Sequence, residues 1–295
     1  MIKYNPKEWW GLIFQFHKSD TFRRLLPAML SLALFSAAVA YFEHIVNPWE
    51  HGTTLLHTLL GLVISLLLVF RTNTAYERWW EGRKLWGALV NVSRNMAIKL
   101  HAWLPDEDTK RREMFSELIA RFPRVLKEHL RDNKVPGATP DGIQHQPNWI
   151  SAQMHRRVQE MMDKGEISGE QYLAINQELS AWADILGACE RIKKTPIPYS
   201  YSLFLKKFIF VYIVTMPFTF AFEFGYWTTL IATLMFYVLG SLEMIAEEIE
   251  DPFGTDANDL PTDGISEGIA TSVAEILHPP LAQEEYDENT LAATA

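Results

Sequence analysis

The sequence predicts an all-α membrane protein: four transmembrane helices plus a helical domain in the cytosol. Three observations carry this. Four long runs lack charged side chains, the stretch between the second and third runs has apolar residues at spacings of three and four, and strand signals are nearly absent. Leu25–Phe42 is 18 residues without a charge, and His51–Phe70 is interrupted after its first residue only by His57. Phe208–Phe222 and Phe224–Leu242 add 15 and 19 residues, separated by Glu223. A span needs about 20 mostly apolar residues, with about 17 sufficing. The third run reaches that length if Lys206 and Lys207 snorkel to the interface along their aliphatic stems. Aromatic residues sit at the ends (Tyr41, Phe42, Trp49, Tyr226, Trp227), as in interfacial belts. Four such runs are too many for the buried helices of a soluble core. The first begins too late, without a small-residue cleavage site, to be a signal peptide.

Orientation follows from the bases. Lys3, Lys7, Lys18, Arg23 and Arg24 precede the first run; Arg71, Arg78, Arg83 and Lys84 follow the second; Arg191, Lys193 and Lys194 precede the third. The connections Glu43–Gly52 and Glu223–Tyr226 carry none. The positive-inside rule then expects a multi-pass protein of the cell membrane, with both termini and the middle region cytoplasmic. Four segments result: 1–79 with an N-terminal helix and two spans, 80–200 as the cytosolic domain, 201–246 with two more spans, and 247–295 as an acidic loop, helix and tail. Within the cytosolic domain helices are expected at Arg83–Leu104, Asp108–Asp132, Trp149–Lys164 and Ser168–Lys193. Phe115, Leu118, Ile119 and Phe122 mark one apolar face, and Ser168 with Gln171 forms a capping box. Pro136, Gly137, Pro140, Asp141 and Gly142 make Asn133–Pro147 a loop.

Charge is segregated along the chain. Of 295 residues, with a formal net charge of −9, the last base is Lys207, and the 15 acids after it face no Lys or Arg in their own segment. This argues against a nucleic-acid-binding protein. A single cysteine, Cys189, excludes a disulfide framework and a Cys-built zinc site. There is no phosphate loop, His-Glu-x-x-His or nucleophile elbow, so nothing supports an enzyme. His145, His155 and His278 read as ordinary surface or packing histidines. His57, inside a span, reads either as part of a pathway or as an interfacial ring.

Leu62, Leu66 and Phe70 fall at i, i+4 and i+8 and so form one helical stripe, beside the small residues Gly61 and Ser65 that permit close helix approach. Asp256, Asn258, Asp259 and Asp263 crowd a short loop after Gly254. That loop is either a divalent-cation site, Ca²⁺ needing six to eight oxygens, or a solvated turn capping the next helix.

Phe70-Arg71-Thr72-Asn73, Arg78-Trp79-Trp80, Lys84-Leu85-Trp86-Gly87, Cys189-Glu190-Arg191-Ile192, Thr195-Pro196-Ile197-Pro198-Tyr199 and Glu250-Asp251-Pro252-Phe253-Gly254 together resemble the prokaryotic members of the bestrophin family of ion channels. The resemblance implies a homopentamer, its pore on the fivefold axis, in a lipid bilayer. It implies a hydrophobic neck at Leu62, Leu66 and Phe70, and a cytosolic constriction near Glu170 or Gln171. It also implies a Ca²⁺ clasp, with Asp256 and Asp259 as side-chain ligands and Glu248, Asp251 and Ile2 at backbone-carbonyl positions. Ala257 and Asn258 break the acidic run that animal members carry, so no cofactor is required. Animal members conduct anions and bacterial ones are associated with cations. The net negative charge tilts the expectation toward small monovalent cations, with a chloride channel as the alternative. A secondary transporter or a non-conducting membrane scaffold would be the reading from other classes.

Overall fold

The structure, a computed structural model, describes residues 20–46 and 54–279. Every regular element among them is helical: α1 (Asp20–Tyr41), a π-helical turn (Phe42–Val46), α2 (Thr54–Trp103), α3 (Thr109–Leu130), α4 (Gln146–Asp163), α5 (Gly169–Lys194), α6 (Tyr199–Phe224), α7 (Trp227–Glu250) and α8 (Thr262–Leu277). Two compact units result. One takes the chain up to Arg83 together with Arg191–Leu260, the other Lys84–Glu190 and the chain from Pro261.

Among the described residues four helices are long and apolar enough to cross a membrane: Thr21–Ile45, Thr54–Trp103, Tyr199–Phe224 and Trp227–Glu250. A helix satisfies its own backbone, which hydrocarbon demands. Helix α1 packs along α7 and α6, and α6 packs on α7. Leu32, Ile64, Leu68, Leu205, Ile209, Tyr212, Ile213 and Leu239 form their shared core. Gly225, at φ 51°, ends α6, its amide donating to the Ala221 carbonyl at 2.8 Å; a residue with a Cβ would be strained in this left-handed position. At most a third of each apolar window is buried within one chain, so most of the apolar surface faces outward.

In the second unit α3 packs against α4 and α8. Its buried face is Phe115, Ile119, Phe122 and Leu126, with Phe122 stacked on Trp182 at 4.1 Å. The reciprocal cap at α5 is present: the Gln171 amide donates to Ser168 Oγ at 3.2 Å and the Ser168 amide to Gln171 Oε1 at 2.7 Å. Arg112, 3% exposed, donates to the carbonyls of His101, Leu104 and Leu277, satisfying the open C-terminal ends of α2 and α8.

Candidate functional site

Helix α2 has two faces within the first unit. His57, Ile64, Leu68, Arg71 and Ala75 are buried, at spacings of seven, four, three and four. Leu62, Leu66 and Phe70 lie on the opposite side and are 69%, 56% and 58% exposed, an apolar stripe that Leu55 and Leu59 extend. The buried face is held closely. A Cβ on Gly61 would lie 2.8 Å from the Tyr212 hydroxyl, so glycine is what lets α6 approach. Tyr201 donates to the Leu67 carbonyl at 3.0 Å. His57 stacks on Tyr212 (4.2 Å, 20°) and meets the edge of Phe220, 4% exposed, so it is a packed ring rather than an interfacial one.

Below the stripe, five of the sequence motifs converge, through Arg71, Arg78, Ile192, Thr195 with Ile197, and Glu250. Arg71, 1% exposed, sits between two carboxylates of α7, with Nη1 2.6 Å from Glu250 Oε2 and Nε 3.6 Å from Glu243 Oε2. The other Glu250 oxygen accepts from the Ile197 amide at 2.7 Å. Arg78 extends its fork to three carbonyls, those of Ile192 (2.6 Å), Thr195 (2.6 Å) and Glu250 (2.9 Å). The planar guanidinium spreads its donors over a rigid fork and so reaches acceptors set apart from one another, whereas an ammonium offers its three donors from a single point. Trp79 donates to the Asn258 carbonyl at 3.0 Å. Thus Arg71, Arg78-Trp79, Thr195-Pro196-Ile197 and Glu250 are joined by ion pairs and hydrogen bonds into one junction between the ends of α5 and α7 and the flank of α2. Sequence reasoning treated these motifs as markers and missed the junction; the recurrence of Arg on one helical side of α2, seven residues apart, was its signal.

The acidic loop follows directly. Asp259, 2% exposed, accepts from the Asp256 amide at 2.6 Å through Oδ2, while its buried Oδ1 has no hydrogen-bond partner among the described residues. Burial pushes its carboxyl from 3.8 up to about 6; the neighbouring Asp256, Asp251 and Glu248 charges add to this, and the amide bond opposes it. Gly254 leaves room for that carboxylate, since a Cβ there would lie 2.7 Å from Asp259 Oδ2. Gly82 on α2 does the same for Phe253 and Leu260, at 3.1 and 3.2 Å. Asp256 and Glu248 face Arg24 at 3.9 and 3.7 Å, Glu248 also accepts from Asn258 at 2.7 Å, and Asp251 pairs with Lys193 at 2.8 Å. Ile2 lies outside the described residues. Among the described residues the loop does not gather three carboxylates with converging oxygens; the one such group of donors is His129, His145 and Glu190, in the second unit. The reading of His145 as an ordinary surface or packing histidine therefore changes; Glu190 entered the sequence reading only within the motif Cys189-Glu190-Arg191-Ile192, and His129 carries no motif.

Of the residues at the expected constriction, Glu170 is exposed and Gln171 half-buried, with the Gln171 side chain engaged in the α5 cap. The Ser168 hydroxyl holds the Glu170 carboxyl below its usual range.

A family model described as Bacterial/Fungal Bestrophin protein matches residues 1–275. Among curated proteins the chain is 31% identical over 300 residues to a voltage-dependent anion channel-forming protein of Nostoc sp., covering 96% of this chain and 97% of the relative. It is 32% identical over 294 residues to the voltage-dependent anion channel-forming protein YneE of Escherichia coli K12, covering 94% of each. Among solved structures it resembles a bacterial bestrophin homologue from Klebsiella pneumoniae, with a TM-score of 0.78 and 27% identity over 86% of this chain and 98% of that one.

Proposed function

Because the chain belongs to the bacterial and fungal bestrophin family, we propose that it is a membrane ion channel, assembled as a homopentamer, whose pore is lined by the Leu62–Leu66–Phe70 stripe of α2. The observation that carries this reading is the two-faced α2. One side is locked against α6 and α7, and the other presents large apolar side chains that are more than half exposed. Five such stripes around an axis make an apolar tube that conducts when wide enough to stay wet and closes by dewetting. The relatives' names describe channels and no catalytic chemistry, which supports a channel over an enzyme.

For the permeant ion we favour anions, the class in the relatives' names, over the cation preference drawn from net charge. The charge argument weakens on structural grounds. Seven of the eleven acids after Lys207 that lie in the described residues meet bases from earlier in the chain: Glu243 and Glu250 meet Arg71, Glu247 meets Lys206, Glu248 and Asp256 meet Arg24, Asp251 meets Lys193, and Asp263 meets Lys127 and Arg131. A formal charge of −9 is thus no measure of the field an ion meets. We read the acidic loop as metal-free. Its oxygens suit a hard cation and Asp259 Oδ1 is orphaned, but Arg24 faces Asp256 and Glu248, and Ala257 and Asn258 lower the charge. Both termini are taken as cytoplasmic from the distribution of bases.

Purified protein in a planar bilayer under a potassium chloride gradient tests this reading. The expected reversal potential lies near the chloride equilibrium potential. A value near that of potassium would restore the cation preference, and the absence of unitary currents would favour the scaffold.

A further inference from the structure

We infer that His129, His145 and Glu190 form a binding site for a transition-metal dication of the zinc class, in the second unit and apart from the acidic loop. The Nε2 atoms of both histidines approach one carboxylate oxygen, Glu190 Oε1, at 2.6 and 2.8 Å. All three donor atoms lie within 4.8 Å of one another, and the imidazole rings are 4.5 Å apart. Two imidazoles and a carboxylate are the donors that Zn²⁺ takes at about 2.0–2.2 Å, leaving a fourth position for water. Hard cations prefer all-oxygen cages, so the same set selects against Ca²⁺ and Mg²⁺.

The donors come from three elements whose positions are fixed independently. His129 sits in the last turn of α3, which is closed by a Schellman pair: the Asp132 amide donates to the His129 carbonyl at 3.1 Å and the Asn133 amide to the Glu128 carbonyl at 2.8 Å. Asp132 takes the left-handed φ of 60° that this closure needs. His145 is the N-cap of α4, its Nδ1 accepting from the Asn148 amide at 3.2 Å. The next residue, Gln146, is buried and clamps the preceding loop, bonding both the amide and carbonyl of Val135 and the Thr139 hydroxyl. Glu190 lies near the end of α5, beside the buried Cys189. The three side chains are a fifth to a third exposed, accessible to an ion yet partly screened from water.

In a tetrahedral zinc site adjacent donors stand about 3.3 Å apart, so the two short contacts open by roughly 0.6 Å when the ion replaces the bridging protons. Coordination through His145 Nε2 moves that ring's proton to Nδ1 and gives up the bond from Asn148, a cost the zinc bonds offset. Nothing in this depends on whether the protein conducts.

The test uses the full-length protein, stripped with a chelator and dialysed against buffered free Zn²⁺, with bound metal counted by mass spectrometry. One zinc per chain at micromolar free metal is expected. His145→Asn keeps a good N-cap while removing the imidazole, and Glu190→Gln keeps the side-chain shape. Each is expected to weaken binding at least about tenfold, since loss of even an outer partner costs about 10–100-fold, while His155→Ala leaves it unchanged. Circular dichroism should show both variants helical. Absence of zinc from the unmodified protein, or unchanged binding in either variant, would overturn the site.

Discussion

Asp259 concentrates the chemistry of the acidic loop in one side chain. Its folded value of about 6 stands above the ordinary 3.8, so the folded state holds this proton more tightly than the unfolded chain. The stabilisation is complete below about pH 4 and is lost as the pH rises through about 6, on the order of 1–3 kcal/mol for a group so enclosed. Asp259→Asn keeps the oxygen that accepts from Asp256 and removes the charge. Its thermal stability in detergent should therefore stay level from pH 4 to 7 while that of the parent protein falls. Calcium bound at Asp259 would favour the carboxylate and flatten the parent curve; an unchanged curve in millimolar calcium agrees with a metal-free loop. The motif Glu250-Asp251-Pro252-Phe253-Gly254 was legible in the sequence. The need for Gly254 was not, because it arises from a carboxylate five positions later folding back against it.

At the scale of elements, α2 depends on close approach to α6. A methyl group at position 61 collides with the Tyr212 hydroxyl and with nothing nearer than an ordinary contact to the rest of that ring. Gly61→Ala should cost about 1–3 kcal/mol, read as a drop of several degrees in melting temperature. Tyr212→Phe removes the colliding oxygen, so the double variant should recover most of the loss. A double variant no better than Gly61→Ala alone would place the strain elsewhere. The helices themselves were legible: the predicted segments Asp108–Asp132 and Trp149–Lys164 correspond to α3 and α4 within a few residues, since period, capping residues and loop breakers are local. The junction at Arg78 was not. Its acceptors lie 114 to 172 residues away in the chain, and backbone carbonyls carry no sequence signature. The His129–His145–Glu190 cluster escaped because its side chains come from three elements, Glu190 lying 61 and 45 residues from the two histidines, with no short ligand spacing to mark it.

At the scale of the whole molecule, folding offsets part of the charge segregation along the sequence, because Arg24, Arg71, Lys193 and Lys206 meet the acids of α7 and the following loop. Among the described residues a large apolar surface stays exposed, including the α2 stripe. Under the proposed reading part of that surface joins subunits, and mass measurement in mild detergent should return five copies of the 34.0 kDa chain; a stable monomer would remove the pore. Under the proposed reading Leu62, Leu66 and Phe70 narrow the conduction path. Unitary currents of Leu62→Ala/Leu66→Ala/Phe70→Ala protein in a planar bilayer test it most directly. A clear rise in conductance or open probability is expected, as five smaller side chains per level widen the tube and keep it wet. Unitary currents and open probability identical to those of the parent channel would contradict it.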